Sequence, residues 1–222
     1  MDQFDIDAVR EAARLIFVAT QSLNKNIELE FRLGSMGNQT DRWSSRAFNP
    51  TINRDLFLRA IDGLKTNSSW DRVEESTTID YFASSGSLRI THDVGKDSWS
   101  AMRKRKILSR DFSNKEGKLD VRASLATEQS MPMPKTIPEC SMIREKKRTS
   151  FYHKFWRYDL TEVATRKTAD KIDIDDDRAI AFEIEIELTD PSRLADQPLD
   201  YVEYVLRYGV MLCQDVIRLS GA

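Results

Sequence analysis

The stretch Phe182-Glu183-Ile184-Glu185-Ile186-Glu187-Leu188 sets a carboxylate or a bulky apolar residue at alternate positions. Period-two alternation predicts a β-strand, with Glu183, Glu185 and Glu187 on one face and Phe182, Ile184, Ile186 and Leu188 on the other. Alternate residues on a strand are ~6.5–7 Å apart. Two unit charges at that separation repel by roughly 2 kcal/mol at an effective dielectric near 20. The same pattern recurs in Ile27-Glu28-Leu29-Glu30-Phe31-Arg32. Two such strands in one domain put as many as five carboxylates on a shared surface, and that cluster calls for a cation. His92 and His153 are the only histidines, and Cys140 and Cys213 are the only cysteines, so a nitrogen- or sulfur-rich metal site is excluded. An all-oxygen donor set points to Mg²⁺ or Mn²⁺.

The opposite charge is also strand-borne. Arg144-Glu145-Lys146-Lys147-Arg148 puts Arg144, Lys146 and Arg148 on one face. Arg157-Tyr158-Asp159-Leu160-Thr161 puts Arg157, Asp159 and Thr161 on one face, with Tyr158 and Leu160 on the other. Arg89 stands between Leu88 and Ile90, and Glu128 ends the segment that starts at Val121. In Arg103-Lys104-Arg105-Lys106, parity alone does not say which pair points inward. A basic run of this kind is commonly a solvated face or a nucleic-acid surface.

The elements that must position these residues follow from periodicity. Helices are expected over Asp5–Leu23, Asn53–Leu64 and Pro198–Leu219. Strands are expected near Arg72–Phe82, Leu88–His92, Ser100–Arg110, Leu119–Glu128, Ser141–Tyr152, Trp156–Val163 and Ala179–Leu188, besides the first glutamate strand. Hairpin turns fit Ser84-Ser85-Gly86-Ser87 and Asn114-Lys115-Glu116-Gly117, and Met131–Pro138 reads as a proline-bearing loop. A polar loop follows Gly34 as far as Asp41, and Lys167–Asp177 reads as a charged connection. About eight strands with helices at both ends predict a mainly β (α+β) fold, an antiparallel β-barrel with helices packed outside. Closure removes the exposed edges that a long open sheet leaves.

The 222 residues fit a single domain, 1–222, long enough to bury a core. A net charge of −2 with 32% charged residues says little about partners, because the two signs are segregated locally. No run approaches membrane-spanning length and no signal-peptide layout is present, so a soluble, intracellular protein without a membrane partner is expected. If helices cover the apolar faces of the strands from outside, the charged faces line the lumen. Unpaired ions there cost several kcal/mol each, so the lumen is expected to be wet, internally paired and ligand-filled. Carboxylates that grip a divalent metal, opposed by arginines and lysines, form a receptacle for a polyphosphate. No P-loop and no G-x-G-x-x-G is present, so side chains must hold the phosphates.

In this combination the sequence resembles the triphosphate tunnel metalloenzymes, and among them the fungal, protozoal and viral metal-dependent RNA triphosphatases of mRNA capping. The resemblance runs from Ile27 to Leu188. It rests on the order and spacing of E-x-E, R-x-K-x-R, R-x-D-x-T and E-x-E-x-E. It implies an eight-stranded tunnel with all inward residues hydrophilic. Glu28 and Glu30 match the family's first metal-binding pair, and Glu187 is implied as the third direct ligand, with Glu183 and Glu185 acting through water. Arg144, Lys146 and Arg148 match the phosphate clamp, and Arg157, Asp159 and Thr161 the strand that braces it. Arg89 resembles the isolated tunnel arginine and Glu128 the isolated glutamate. Lys104 matches the tunnel lysine, with Lys106 as the alternative. Arg32 and Leu33 stand before Gly34 where the fungal motif has lysine and phenylalanine. The long N-terminal extension of the yeast enzymes is not expected, nor a docking segment for the guanylyltransferase within it.

The implied reaction is removal of the γ-phosphate from 5'-triphosphate RNA, the first step of cap formation. It is expected to work with Mg²⁺ or Mn²⁺, to extend to nucleoside triphosphates with Mn²⁺, and to be functionally linked to an RNA guanylyltransferase. The attacking water is oriented by Glu185, Glu183 or Glu128; the sequence does not choose. The expected location is the nucleus, or a viral factory or cytoplasm for a virus-encoded chain. Two rivals remain at this point. One is another tunnel enzyme acting on tripolyphosphate, thiamine triphosphate or nucleoside triphosphates. The other is a non-catalytic nucleic-acid-binding barrel, which needs exposed aromatics beside its basic residues; Tyr158 alternates away from the charged face.

Overall fold

The computed structural model describes residues 4–21, 26–37, 48–84, 87–115, 117, 119–167 and 180–222. In chain order its elements are α1 (Ile6–Gln21), β1 (Ile27–Met36), β2 (Phe48–Asn49), α2 (Arg54–Lys65), β3 (Arg72–Ala83), β4 (Leu88–Asp93), β5 (Ser98–Phe112), β6 (Asp120–Met131), β7 (Cys140–His153), β8 (Trp156–Lys167), β9 (Ile180–Leu188), a short 3₁₀ turn (Pro191–Leu194) and α3 (Leu199–Ser220). All three expected helices and all eight expected strands are present, with most strands running a residue or more beyond the periodic core. Part or all of the expected turns at 84–87 and 114–117, the polar loop after Gly34 and the connection after Lys167 lies outside the described residues. Among the described residues no helix is long and apolar enough to cross a membrane.

Eight strands close into an antiparallel barrel. The order is β1–β6–β5–β4–β3–β7–β8–β9, and β9 returns to β1 through Glu30↔Glu187, Phe31↔Ile186 and Arg32↔Glu185. The two-residue β2 adds to the end of β1. Residues facing each other across a ladder share a face of the sheet, so the two glutamate strands close the barrel with their carboxylates on the same side.

The hydrophobic core lies outside the barrel wall. Leu29, Phe31, Leu125, Leu160, Ile184 and Ile186 are all buried, and each occupies the register face opposite the carboxylates. They belong to one cluster with Val9, Ala13 and Ile16 of α1, Leu56, Phe57 and Ala60 of α2, and Val202, Leu206 and Val210 of α3. Asn53 starts α2 by accepting the Asp55 amide at 2.8 Å. Gly209 lets α3 approach the wall, since a Cβ there would meet the Phe31 ring at 2.4 Å. The helices bury one face of the closing strands, and the other face is left for the lumen.

The lumen-facing register is not wholly hydrophilic, contrary to the expectation. Val163 faces Lys146 and Ala181 and is fully buried, and Met102 lines the central cavity. A closed barrel has more inward positions than a triphosphate needs, and those away from the charges can be filled with apolar groups.

Candidate active site

The middle of the barrel holds a cavity of about 280 Å³. Six carboxylates line it, from Glu28, Glu30, Asp80, Glu128, Glu185 and Glu187, and so do six cationic groups, from Arg32, Arg89, Lys104, Lys146, Arg148 and Arg157. Met102 is the one apolar residue of the lining. A groove of about 770 Å³ runs on the outer wall between α2 and β3, β7 and β8. Its lining mixes Phe57 and Ile61 with scattered charges and lacks a convergent set.

Ladder register places each acid. Glu30 stands opposite Glu187, with Glu28 two residues before it on β1 and Glu185 two residues before Glu187 on β9. Like charges in directly opposed positions destabilise a ladder. Burial, reinforced by Glu185 and Glu28, raises the Glu30 carboxyl above its ordinary range despite Arg32 and Lys104. Burial also pushes Glu187 up to about 7, against Arg157 and with Glu28, Asp159 and Glu30 adding to the rise. Glu185 behaves oppositely. Burial favours its neutral form, but Arg32 and Arg148 prevail and hold it at about 2.

The cations are held by this framework. Lys104 contacts Glu28 and lies 3.3 Å from Glu30, and the pair holds its ammonium above the ordinary value against burial. Register resolves the lysine choice. Lys104 faces Glu128 across the ladder and enters the cavity, whereas Lys106, although facing Ala126, is exposed. Arg148 meets Asp159 at 3.0 Å and donates to Thr161 at 3.2 Å. Arg157 donates to both Asp159 oxygens, at 3.1 and 3.0 Å, and also to Glu187. Ser150 donates to Asp159 at 2.6 Å. Asp159 is therefore the anchor of two arginines. Arg89 lies 3.7 Å from Glu128.

Two predicted residues lie apart from the rest. Arg144 donates to Glu183 at 2.6 Å, and neither lines the cavity. Two charged residues that the motif reading passed over belong to it. Arg32 pairs with Glu185 and sits 3.2 Å from Glu30, so what read as a departure in packing is a charge inside the lumen. Asp80, 2% exposed, takes Lys146 at 2.5 Å and the Thr91 hydroxyl at 2.7 Å. Burial, with Arg144 and Arg148, lowers the Lys146 ammonium despite Asp80. Strict alternation in Thr78-Ile79-Asp80-Tyr81 is the signal that could have marked Asp80 as inward.

Among the described residues no three His, Cys, Asp or Glu side chains converge as a ready-made metal centre. Lys104 and Arg157 reach between the carboxylates that would form one. The donor set nevertheless fits a hard divalent cation: Glu28, Glu30 and Glu187 are adjacent, all-oxygen, and Glu30 and Glu187 resist ionisation where they stand. The anion side fits too, because Arg89 Nε is buried without a hydrogen-bond partner. With six acids against six bases, the fully ionised lining offers a triphosphate no net positive charge, so uptake of the anion together with cations is electrostatically favoured.

Residues 71–199 match the family model described as mRNA capping enzyme, beta chain. No curated protein matches the chain in sequence. Among solved structures, the S. pombe Pct1 RNA triphosphatase superimposes with a TM-score of 0.78 at 14% identity, covering 96% of this chain and 93% of that one. The same protein in complex with the Spt5 CTD gives 0.78 at 15% identity, with 96% and 92% covered. The Mimivirus capping enzyme triphosphatase gives 0.56 at 14% identity, with 95% and 99% covered. These likenesses support the tunnel fold, and the family match extends over more than half of the sequence. The chain belongs to the mRNA capping enzyme beta-chain family, the RNA triphosphatases of the triphosphate-tunnel fold.

Proposed function

We propose that this chain hydrolyses the γ-phosphate from the 5'-triphosphate end of nascent RNA, with Mg²⁺ or Mn²⁺ held by Glu28, Glu30 and Glu187. The observation that carries the reading is the closed lumen in which those three acids lie across from Arg89, Lys146, Arg148 and Arg157. The bound metal supplies Lewis-acid polarisation of a γ-phosphate oxygen. Arg148 and Arg157, fixed through Asp159 and Thr161, present guanidinium forks to phosphate oxygens. Lys146, locked on Asp80, and Arg89 add charge where it develops on the bridging oxygen. A cation on Glu28 and Glu30 would displace Lys104 from them, and its ammonium would then be free to meet phosphate. Glu185 stays ionised and orients the attacking water through Oε2, 3.9 Å from Arg148, and phosphoryl transfer needs this positioning more than a strong base. Glu183 fixes Arg144, and Glu128 steadies Arg89.

The product, a 5'-diphosphate end, is the chemistry a guanylyltransferase consumes, so a functional link to that enzyme is part of the proposal. The S. pombe Pct1 RNA triphosphatase is itself seen in complex with the Spt5 CTD, a precedent for a protein partner of this fold. Acting on nascent RNA locates the protein where transcription runs: the nucleus, or a cytoplasmic viral factory for a virus-encoded chain. The test is phosphate release from γ-labelled triphosphate-ended RNA, ATP and tripolyphosphate, each with Mg²⁺ and with Mn²⁺. Efficient release from the RNA supports the reading. Release confined to tripolyphosphate overturns it.

A further inference from the structure

The tunnel uses Lys104 from the basic run of β5 and leaves Arg103, Arg105 and Lys106 unexplained. All three are exposed, and among the described residues no ion pair holds any of them. In contrast, every cation that lines the cavity is paired with a carboxylate. β4 pairs with β5 only as far as Leu88↔Arg103, while β5 continues to Phe112. Beyond Arg103 that edge of β5 has no strand partner among the described residues. Lys106 shares the inward register of Lys104 one step further along this edge, and Arg103 and Arg105 lie on the outer face.

The same outer face carries a second, independent feature. Trp99, two residue pairs before Arg103 on that face, is 40% exposed. Its ring stacks on His92, with centroids 4.2 Å apart and an interplanar angle of 7°, and on Tyr81 at 5.9 Å and 26°. His92 and Tyr81 come from β4 and β3, so the platform is built across three strands and held rigid by their ladders. Four residues of strand separate Trp99 from Arg103, about 13–14 Å. The exposed aromatic that a nucleic-acid surface needs beside its cations is therefore present, on β5 rather than beside Tyr158.

We propose that the outer face and free edge of β5 bind the single-stranded RNA chain that follows the triphosphate: Lys106, Arg105 and Arg103 hold successive phosphates and Trp99 stacks a base. This rests on the RNA triphosphatase reading and assigns the site that separates an RNA end from a free triphosphate. Unpaired, exposed cations beside an aromatic platform are the general means of sequence-tolerant single-strand binding. Charged residues also protect a free strand edge from pairing with another chain. That role needs no aromatic platform and predicts no RNA affinity.

The test uses a single-stranded RNA with a 5'-hydroxyl end, so binding is read without the tunnel chemistry. Wild-type protein binds it with an affinity that falls as salt rises. Arg103→Gln/Arg105→Gln reduces the slope of log affinity against log salt by about 1.4 and weakens binding roughly 25-fold at 0.1 M salt. Trp99→Ala weakens binding roughly five- to hundredfold with the slope unchanged. Hydrolysis of tripolyphosphate is unaltered in both variants. Wild-type affinity in the variants overturns the inference, as does equal competition by a poly-glutamate peptide, or a parallel loss of tripolyphosphate hydrolysis. The triphosphatase reading fails by a different result, namely no phosphate release from triphosphate-ended RNA by the wild type.

Discussion

Asp80→Asn isolates the contribution of a buried ion pair that no capping motif names. Asp80 and Lys146 are 2% and 9% exposed, and their charged atoms are 2.5 Å apart. At an effective dielectric of 20 that contact is worth about 6–7 kcal/mol of gross Coulomb attraction. Desolvation of both partners offsets much of it, yet removing one charge strands the other, and such a loss costs about 3–5 kcal/mol. Asparagine keeps the shape and can still accept from Thr91, so the change reports on charge rather than on a cavity. Lys146 is already pulled toward neutrality by burial and by Arg144 and Arg148, and Asp80 is the group that opposes them. In Asp80→Asn the ammonium should therefore lose its proton at lower pH. Two assays follow: urea denaturation at pH 7, and the pH dependence of kcat/KM. The expected results are a stability loss of about 3–5 kcal/mol and an alkaline limb displaced toward neutral pH. A loss under ~1 kcal/mol, the range of an exposed pair, with the limb unmoved would refute the reasoning.

Glu187 gives a prediction of opposite sign. Its folded-state value, about 7, lies above the ordinary 4.5, so its contribution to stability is present below pH 4.5 and is lost as pH rises through 7. Metal-free Glu187→Gln is thus expected to be more stable than wild type at pH 7.5 by on the order of 1–3 kcal/mol, while losing the stabilisation that added Mn²⁺ gives the wild type; a destabilised variant in urea melts would contradict this. Arg148→Lys keeps the charge but loses the fork that spans Asp159 and Thr161. A fall in kcat of roughly 10²-fold is expected, and an unchanged rate in steady-state assays would argue against two-point contact with phosphate. Gly209→Ala drives a methyl into the Phe31 ring, with an expected cost of about 1–3 kcal/mol in thermal or urea melts and little change in kcat if the helix yields.

Much of the fold was legible because the barrel wall is built from strict alternation. Glu183 to Leu188 and Glu28 to Phe31 announce both their strand character and their buried face, and the helices that cover them show helical spacing. Other features depend on register, which one sequence does not contain. Lys104 and Lys106 have the same parity, and only the register with β6 separates the lysine opposite Glu128 in the cavity from the exposed one opposite Ala126. Arg32 looked like a conservative exchange until closure of β1 on β9 brought Glu185 opposite it. Asp80 sits in a strand without a charge motif, so its partnership with Lys146 emerges only from the pairing of β3 with β7. Nothing in the sequence marks Trp99 as part of a platform, because its stacking partners come from two other strands.

The central claim is that Glu28, Glu30 and Glu187 act with the facing arginines and lysines as one metal-dependent site for a terminal phosphate. It is tested most directly by following triphosphate-ended RNA after chelation and after return of Mn²⁺ or Mg²⁺, in the wild type and in Glu28→Ala. The account predicts no turnover after chelation, and on metal return one orthophosphate and one 5'-diphosphate end per molecule, with severe loss in Glu28→Ala. Metal-independent turnover, release of pyrophosphate, or a near wild-type rate in Glu28→Ala at saturating metal would contradict it.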